Sequence, residues 1–197
     1  MLLPVAAALA DSPLTSTEFA AAYDDVALVQ EAKAAGRLTP ALAAQLAAPG
    51  VPVDVKAAVV NALGWKIDGK HDADVFARAV AERTGKKPAQ VRKGAGLAPE
   101  DALVLGYLVA MDDYFHPEKA FDLLARARKG RPDSYTVALV DALAHAQKDM
   151  ETDFCRAWLD YAAVREDPKL RRDLRPAAEA IVHDYMSLYA DGGCSSD

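Results

Sequence analysis

The sequence predicts an all-α fold in which antiparallel helical hairpins pack as a short repeat-like array or an irregular bundle. Apolar residues recur at spacings of three and four, the period of an α-helix with one buried face. Alanine is abundant and runs of β-branched residues are scarce, which favours helix over strand. No segment alternates apolar and polar residues between turn signals, as a strand would. The 197 residues fit a single domain that can bury a core of its own.

Start and stop signals divide the chain into eight or nine helices. The first is predicted over residues 16–35, with a Thr15–Glu18 capping box at its start and Gly36 at its end. Residues 85–99 hold two prolines and three glycines, which predicts a possible hinge with one short turn of helix inside it. Residues 191–197 are predicted to be a flexible tail. The remaining helices are predicted to begin near Thr39, Asp54, His71, Pro99, Pro117, Ser134, Met150 and Asp173.

The uncharged stretch ALVLGYLVAM, residues 102–111, is predicted to be the most buried helix. It is too short to cross a membrane, which takes about 20 apolar residues. We therefore expect other helices to surround it, with Leu105, Leu108 and Met111 in the core. Trp65 and Trp158 also lie on apolar stripes, and we expect both to be largely buried.

The charge pattern argues against a nucleic-acid partner, and no segment has the length of a membrane span. The formal net charge is -6, whereas nucleic-acid-binding proteins usually carry a clustered basic surface. Two small basic groups are present, and neither is interleaved with aromatic residues. We interpret both as solvated helix ends and loops: Lys86, Lys87, Arg92 and Lys93, and then Arg126, Arg128, Lys129 and Arg131.

Neither of the two cysteines has a spacing typical of a zinc site. Cys155 falls inside a helical pattern and Cys194 in a Gly/Ser-rich tail. A disulfide between them would require the tail to fold back, so we expect two free thiols.

The N-terminal residues 1–10 allow two interpretations. They end in Ala8-Leu9-Ala10, a small-x-small pattern that resembles a signal-peptidase site, but they lack a basic region. They are either the remnant of a secretory signal, which would place the protein in the periplasm, or a short apolar segment packed on the domain. The second interpretation is favoured, and with it a cytoplasmic location.

One pair of predicted helices resembles the tetratricopeptide repeat. A Leu-Gly-aromatic element in the first helix is followed by small and apolar residues in the second and by a closing proline. The resemblance extends over residues 99–168. It implies a scaffold that grips a peptide or a partner's helix in a concave face, although the same residues could pack the core of an unrelated bundle. The residues that carry it are Leu105, Gly106, Ala120, Leu124, Ala127 and Pro132.

The candidate site is the corner that follows the central helix. Asp112 and Asp113 lie at the helix C-terminus, where the helix dipole disfavours acids, and Tyr114 and Phe115 follow directly. Aromatic side chains are enriched among interface anchors, so we predict that this corner binds another protein or a peptide. In the alternative interpretation the two aromatics only anchor the turn, and the acids cap it and pair with Lys119.

Two His-Asp pairs suggest a different function. His71-Asp72 and His183-Asp184 resemble the metal-binding residues of HD-type phosphohydrolases, which are all-α enzymes. The alternative is therefore a small metal-dependent hydrolase. In the absence of any longer catalytic motif, we predict a non-enzymatic protein without metal or cofactor. We expect it to mediate protein–protein interaction as a monomer or weak homodimer.

Overall fold

The computed structural model describes residues 12–194, and of residues 191–193 only the backbone. The all-α prediction is confirmed: within that range the only β pairing is an isolated bridge between Ser134 and Arg171. Two 3₁₀ turns, Phe19–Tyr23 and Pro117–Ala120, accompany ten α-helices. The helices are α1 (Ala27–Ala35), α2 (Pro40–Ala47), α3 (Val53–Ala62), α4 (Asp72–Thr84), α5 (Pro88–Arg92), α6 (Pro99–Asp112), α7 (Phe121–Gly130), α8 (Tyr135–Asp149), α9 (Phe154–Glu166) and α10 (Pro176–Gly193).

Local capping signals set several helix ends where the sequence predicts them. The Thr39 hydroxyl accepts a hydrogen bond from the Leu42 amide at 3.2 Å, and Ser134 caps α8 in the same way. Gly36 and Gly85 follow α1 and α4 with φ of 57° and 70°. Glycine reaches this left-handed conformation without the steric cost that a Cβ imposes, and it therefore ends both helices.

The predicted first helix, residues 16–35, is wrong in its first half. This segment holds the 3₁₀ turn Phe19–Tyr23, and a regular helix begins only at Ala27. The Asn61 side chain explains the difference. Its amide oxygen accepts from the Ala20 amide at 2.9 Å, and its amide nitrogen donates to the Thr17 carbonyl at 2.9 Å. These bonds from α3 satisfy backbone groups that an α-helix would otherwise pair internally.

The core is one continuous cluster that extends from Leu14 to Tyr189. Helix α6 lies inside it as predicted, with Leu105 fully buried and Leu108 and Met111 nearly so. Helix α8 is buried to a similar extent, so the prediction of one central helix is too simple. Helix α6 packs on α3, α4, α7 and α8, and α8 packs on α3, α6, α7 and α9.

Close approach between α6 and α7 depends on two glycines. A Cβ at Gly106 would lie 2.9 Å from Leu124 Cδ2, and a Cβ at Gly130 would lie 2.3 Å from Pro99 Cγ. Both distances are shorter than van der Waals contact. The small residue that the repeat-like pattern places at position 106 therefore does allow the two helices to pack closely.

Helix pairing differs between the two halves of the chain. In the second half, consecutive helices pack on one another, as in α6–α7, α8–α9 and α9–α10. In the first half, α1 packs on α3 and α2 packs on α4, each skipping one helix, while α4 also packs on the short α5. The packed helix pairs are compatible with a helical repeat-like arrangement. No helix among residues 12–194 combines the length and the apolar character that crossing a membrane requires.

The loop predicted over residues 85–99 contains the short helix α5, as the sequence indicates. Val91 of this helix is fully buried, and the Lys86 amino group donates to the Ala95 carbonyl at 3.3 Å. The hinge itself stays a prediction.

The prediction of two free thiols is wrong, because Cys155 and Cys194 form a disulfide with their Cα atoms 4.7 Å apart. Helix α10 continues to Gly193, where the sequence predicts a flexible tail from residue 191. This extra turn brings Cys194 back to the first turn of α9. Residues 195–197 lie outside the described range.

Candidate functional site

The loop between α3 and α4 is fixed to the protein by Lys70. The Lys70 amino group donates to the Leu63 carbonyl at 2.9 Å and to the Gly64 carbonyl at 3.1 Å. It also forms an ion pair with Asp72 at 2.8 Å, and both side chains are at least 93% buried (5% and 7% exposed). A buried charge needs such partners to offset its desolvation. The loop therefore has one defined course between the two helices.

Asp112 fixes the same loop from the end of α6. Its carboxylate accepts hydrogen bonds from the Asp72 amide at 3.1 Å and the Ala73 amide at 2.9 Å, which caps α4 from a distance. Its carbonyl oxygen accepts from the Lys70 amide at 3.0 Å. A Cβ at Gly69, where φ is 76°, would lie 2.8 Å from that carbonyl. Only glycine fits at this approach.

Burial changes the ionisation of Asp112. Desolvation raises the pKa of this carboxyl to about 6, against the lowering effect of the Ala73 and Asp72 amides. Both carboxylate oxygens accept hydrogen bonds from α4 amides, so Asp112 holds the corner in position. Its contact with a partner stays a prediction.

An exposed aromatic group lies on this fixed loop and the turn after α6. The Tyr114 ring contacts the Trp65 ring edge-on at 4.9 Å and stacks on the Phe115 ring at 4.3 Å. Trp65 is 41% exposed, Ile67 62% and Phe115 52%. We call Trp65, Ile67, Tyr114 and Phe115 the aromatic corner. It holds three of the six large hydrophobic residues that are exposed in the described chain.

The four residues predicted as the site differ in their exposure and in their contacts. Phe115 is exposed and Tyr114 is half-buried between two rings. Asp113 lies at the rim, where it accepts from Lys119 at 2.6 Å, as the alternative interpretation of the corner expects. Asp112 is half-buried and faces the start of α4. These four residues do meet at one corner, but they differ in how far a partner could reach them.

Sequence reasoning missed Trp65 and Ile67, and the prediction that Trp65 is buried is wrong. The apolar stripe of α3 ends at Ala62, three residues before Trp65. The neighbouring Lys66, Asp68 and Gly69 are turn residues. They are the signal that could have placed Trp65 at the surface. Trp158 is half-buried and packs against the core.

Asp72 and His183, one residue from each His-Asp pair, contact other groups of the protein. Asp72 accepts from the Leu38 amide at 2.8 Å and pairs with Lys70. The His183 ring lies 6.1 Å from the Trp158 ring and 6.2 Å from the Tyr161 ring. Within residues 12–194, no three His, Cys, Asp or Glu side chains are arranged to hold a metal ion.

Comparisons of this chain with protein-family models, with curated proteins and with solved structures found no match.

Proposed function

We propose that this is a non-enzymatic binding protein whose aromatic corner docks a peptide segment of another protein. The observation that carries the proposal is the cluster of exposed Trp65, Ile67 and Phe115 on a loop held by buried bonds. Single exposed hydrophobic residues are ordinary on protein surfaces, but adjacent ones mark interaction sites. Aromatic side chains are frequent hot spots in such interfaces.

The rigidity of the corner supports the same proposal. Lys70 and Asp112 hold the loop through backbone carbonyls and amides, and Tyr114 lies between two other rings. A surface that is already ordered loses little conformational entropy when a partner binds. In the alternative interpretation Tyr114 and Phe115 only anchor the turn. This role fits Tyr114 better than Phe115, which is more than half exposed.

A repeat-like role for α6 and α7 is part of this proposal. Gly106 and Leu124 meet at the close contact between the two helices, and Ala120 and Ala127 are buried there. The tetratricopeptide-like interpretation assigns such pairs to scaffolds that grip a peptide. The aromatic corner lies at the connection of this pair, since Tyr114 and Phe115 directly follow α6.

A peptide-display experiment tests the proposed function. A random peptide library is selected on the wild-type protein, and each enriched peptide is measured against Phe115→Ala. Leu159→Ala is the matched control, because Leu159 is equally exposed at 51% but lies on α9 outside the corner. We expect peptides that lose binding to Phe115→Ala and keep it to Leu159→Ala. The proposal fails if no enriched peptide distinguishes the two variants.

Two further measurements serve as controls for that experiment. The melting temperature of Phe115→Ala should stay within about 2–4 °C of wild type, the shift expected for about 1 kcal/mol at this size. Sedimentation of wild type and Phe115→Ala reports the oligomeric state, which we expect to be monomer or weak homodimer. A dimer that dissociates in Phe115→Ala would assign the corner to self-association instead.

We also propose that the protein works in an oxidising compartment, which revises the expected cytoplasmic location. The Cys155–Cys194 disulfide supports this proposal, because such bonds persist outside the cytosol and are rare within it. The Ala8-Leu9-Ala10 pattern, which lies outside the described residues, fits the interpretation of residues 1–10 as the remnant of a secretory signal. Cell fractionation with mass measurement of the purified chain tests it. Full-length protein with free thiols in the cytosol would refute it.

A further inference from the structure

A cleft of about 480 Å³ adjoins the loop that carries Trp65 and Ile67 of the aromatic corner, without including either residue in its lining. It lies between the end of α1, the start of α2 and the loop before α4. Its volume is within the range of about 300–1,000 Å³ common for ligand sites. Lys66 links the two surfaces, because it lines the cleft and stands between Trp65 and Ile67 in the chain. We call this the cationic cleft, after three of the side chains that line it: Arg37, Lys66 and Lys70.

The cationic cleft carries positive charge that the protein does not neutralise. Lys70 is paired with Asp72, the one acid among the lining residues. Arg37 and Lys66 are exposed, and within residues 12–194 neither has a carboxylate within 4.0 Å. The whole chain has a formal net charge of -6. The surface around Arg37 and Lys66 is therefore locally positive on a protein that is acidic as a whole.

A second cleft on the other side of the same loop has the opposite character. It measures about 470 Å³ and is lined by Asp68, Asp74, Asp112 and Asp113. Ile67 of the aromatic corner also lines it, and Lys70 and His71 are shared with the cationic cleft. Arg92 pairs with Asp74 at 2.9 Å and Lys119 with Asp113 at 2.6 Å, so its cations are already neutralised. Asp68 adds a negative charge that, within the described chain, has no basic partner within 4.0 Å. An acidic ligand group would be attracted to the cationic cleft and repelled here.

We infer that the partner of the aromatic corner is an acidic peptide segment, in which an apolar or aromatic side chain is flanked by Asp or Glu residues. The apolar side chain packs on Trp65 and Phe115, and the acids lie in the cationic cleft beside Arg37 and Lys66. This inference rests on the proposed function. Charge complementarity of this kind mainly raises the association rate and excludes the wrong partners. It also predicts weaker binding at high salt.

The library selection described above tests the inference through the composition of its products. Peptides that bind wild type and fail on Phe115→Ala should be enriched in Asp and Glu relative to the unselected library. If they are instead neutral or rich in Lys and Arg, the inference is overturned while the proposed function stands. If no peptide depends on Phe115, the proposed function fails first.

Charge reversal then localises the effect. The double variant Arg37→Glu/Lys66→Glu should weaken the selected acidic peptides roughly fivefold or more, the combined scale of two exposed ion pairs. The matched control is Lys129→Glu/Lys169→Glu, which changes the net charge equally at two exposed lysines outside the cleft. Equal weakening by both double variants would overturn the assignment to the cleft.

A single-stranded oligonucleotide of random sequence serves as the competing anion. We expect it to bind at least tenfold more weakly than the selected peptides at equal salt, because it lacks the apolar anchor. Binding as tight as that of the peptides, lost in Arg37→Glu/Lys66→Glu, would assign the cleft to nucleic acid and overturn the inference.

Discussion

The two tryptophans of this chain differ in exposure, although the sequence predicts that both are largely buried: Trp65 is exposed and Trp158 is half-buried. Trp65 is 41% exposed on a loop between two helices, and its ring meets the half-buried Tyr114 ring in a T-shaped arrangement at 4.9 Å. Trp158 lies on α9 and packs near Tyr161 and His183, with ring centroids 5.6 Å and 6.1 Å away. The difference comes from what covers each ring, since α10 packs on α9.

The buried polar groups near the two tryptophans also differ in whether they have hydrogen-bond partners. Around Trp65, the buried groups Lys70 and Asp112 have hydrogen-bond partners, so the loop is rigid. Around Trp158, the Tyr161 hydroxyl and His183 Nδ1 are buried without a protein hydrogen-bond partner. Burial raises the pKa of Tyr161 well above its ordinary value. The first region fixes an exposed surface through polar bonds, and the second relies on packing.

The largest effect is expected at Tyr161. Cutting this fully buried ring to alanine should cost about 3–5 kcal/mol of unfolding free energy, as for other large buried aromatics. Tyr161→Phe is the matched control, because it removes only a hydroxyl that lacks a protein partner. We expect it to be neutral or slightly stabilising. Chemical denaturation measures both variants, and a large loss in Tyr161→Phe would show that the hydroxyl is bonded, for example to water.

Removing the disulfide should have the next largest effect. Cys155 and Cys194 are 39 residues apart, and closing a loop of that length stabilises a fold by about 2–4 kcal/mol. We expect Cys155→Ala/Cys194→Ala to unfold at correspondingly lower denaturant, and the Trp158 region to loosen before the Trp65 region. Hydrogen exchange of α9 and α10 against α3 and α4 measures this order. Equal loosening of both pairs would contradict it.

Asp112 should have an intermediate effect, confined to the Trp65 region. Asp112→Ala removes the acceptor of two amides at the start of α4 and should cost about 1–2 kcal/mol, as the loss of a helix cap does. Thermal unfolding of this variant and of wild type measures the loss. A cost within 0.5 kcal/mol, about the scatter for ordinary surface changes, would mean that Asp112 does not hold the corner.

The same residue gives a pH dependence with a defined sign. The folded-state pKa of Asp112 is raised to about 6 from 3.8, mainly by desolvation. The folded protein therefore binds this proton more tightly than the unfolded chain. The resulting contribution to the unfolding free energy is fully present below pH 3.8 and is lost as the pH rises through about 6. Relative to Asp112→Asn, wild type should lose unfolding free energy between these pH values. A constant difference would show that the pKa is not raised.

The smallest effect is expected at Trp65. Trp65→Phe should change the unfolding free energy by less than about 1 kcal/mol, because the ring is largely outside the core. Its fluorescence is dominated by the remaining Trp158 and should be blue-shifted. Trp158→Phe should leave the red-shifted emission of a water-exposed indole. Identical spectra of the two variants would contradict the contrast between the two tryptophans.

Much of the fold follows from local signals that the sequence carries by itself. Thr39, Ser134, Gly36 and Gly85 end or begin helices where predicted, because a cap bonds to amides or carbonyls only a few residues away. The uncharged run of α6 predicted its burial, since no other environment satisfies so many apolar side chains. Part of the candidate site followed as well, because acids at a helix C-terminus beside two aromatics are unusual.

Two of the wrong predictions, the first helix and the free thiols, share one cause, which is contact between residues distant in the sequence. Asn61 replaces helical bonds near Thr17 and Ala20, and the Cys155–Cys194 pair depends on how α10 returns to α9. Neither contact leaves a local pattern. Local propensity is worth only a few tenths of a kcal/mol per residue, so tertiary bonds of about 1 kcal/mol each override it.

The sequence by itself determined the all-α class, the order of helices, the buried run of α6 and the aromatic residues that follow it. Only the tertiary structure decided that Trp65 and Ile67 lie with Phe115 on one exposed surface, and that the Asp112 carboxylate accepts hydrogen bonds from the start of α4. The reason is that helix periodicity fixes which face of a segment is apolar. It does not fix which other segment covers that face, and a face left uncovered is where a partner can bind.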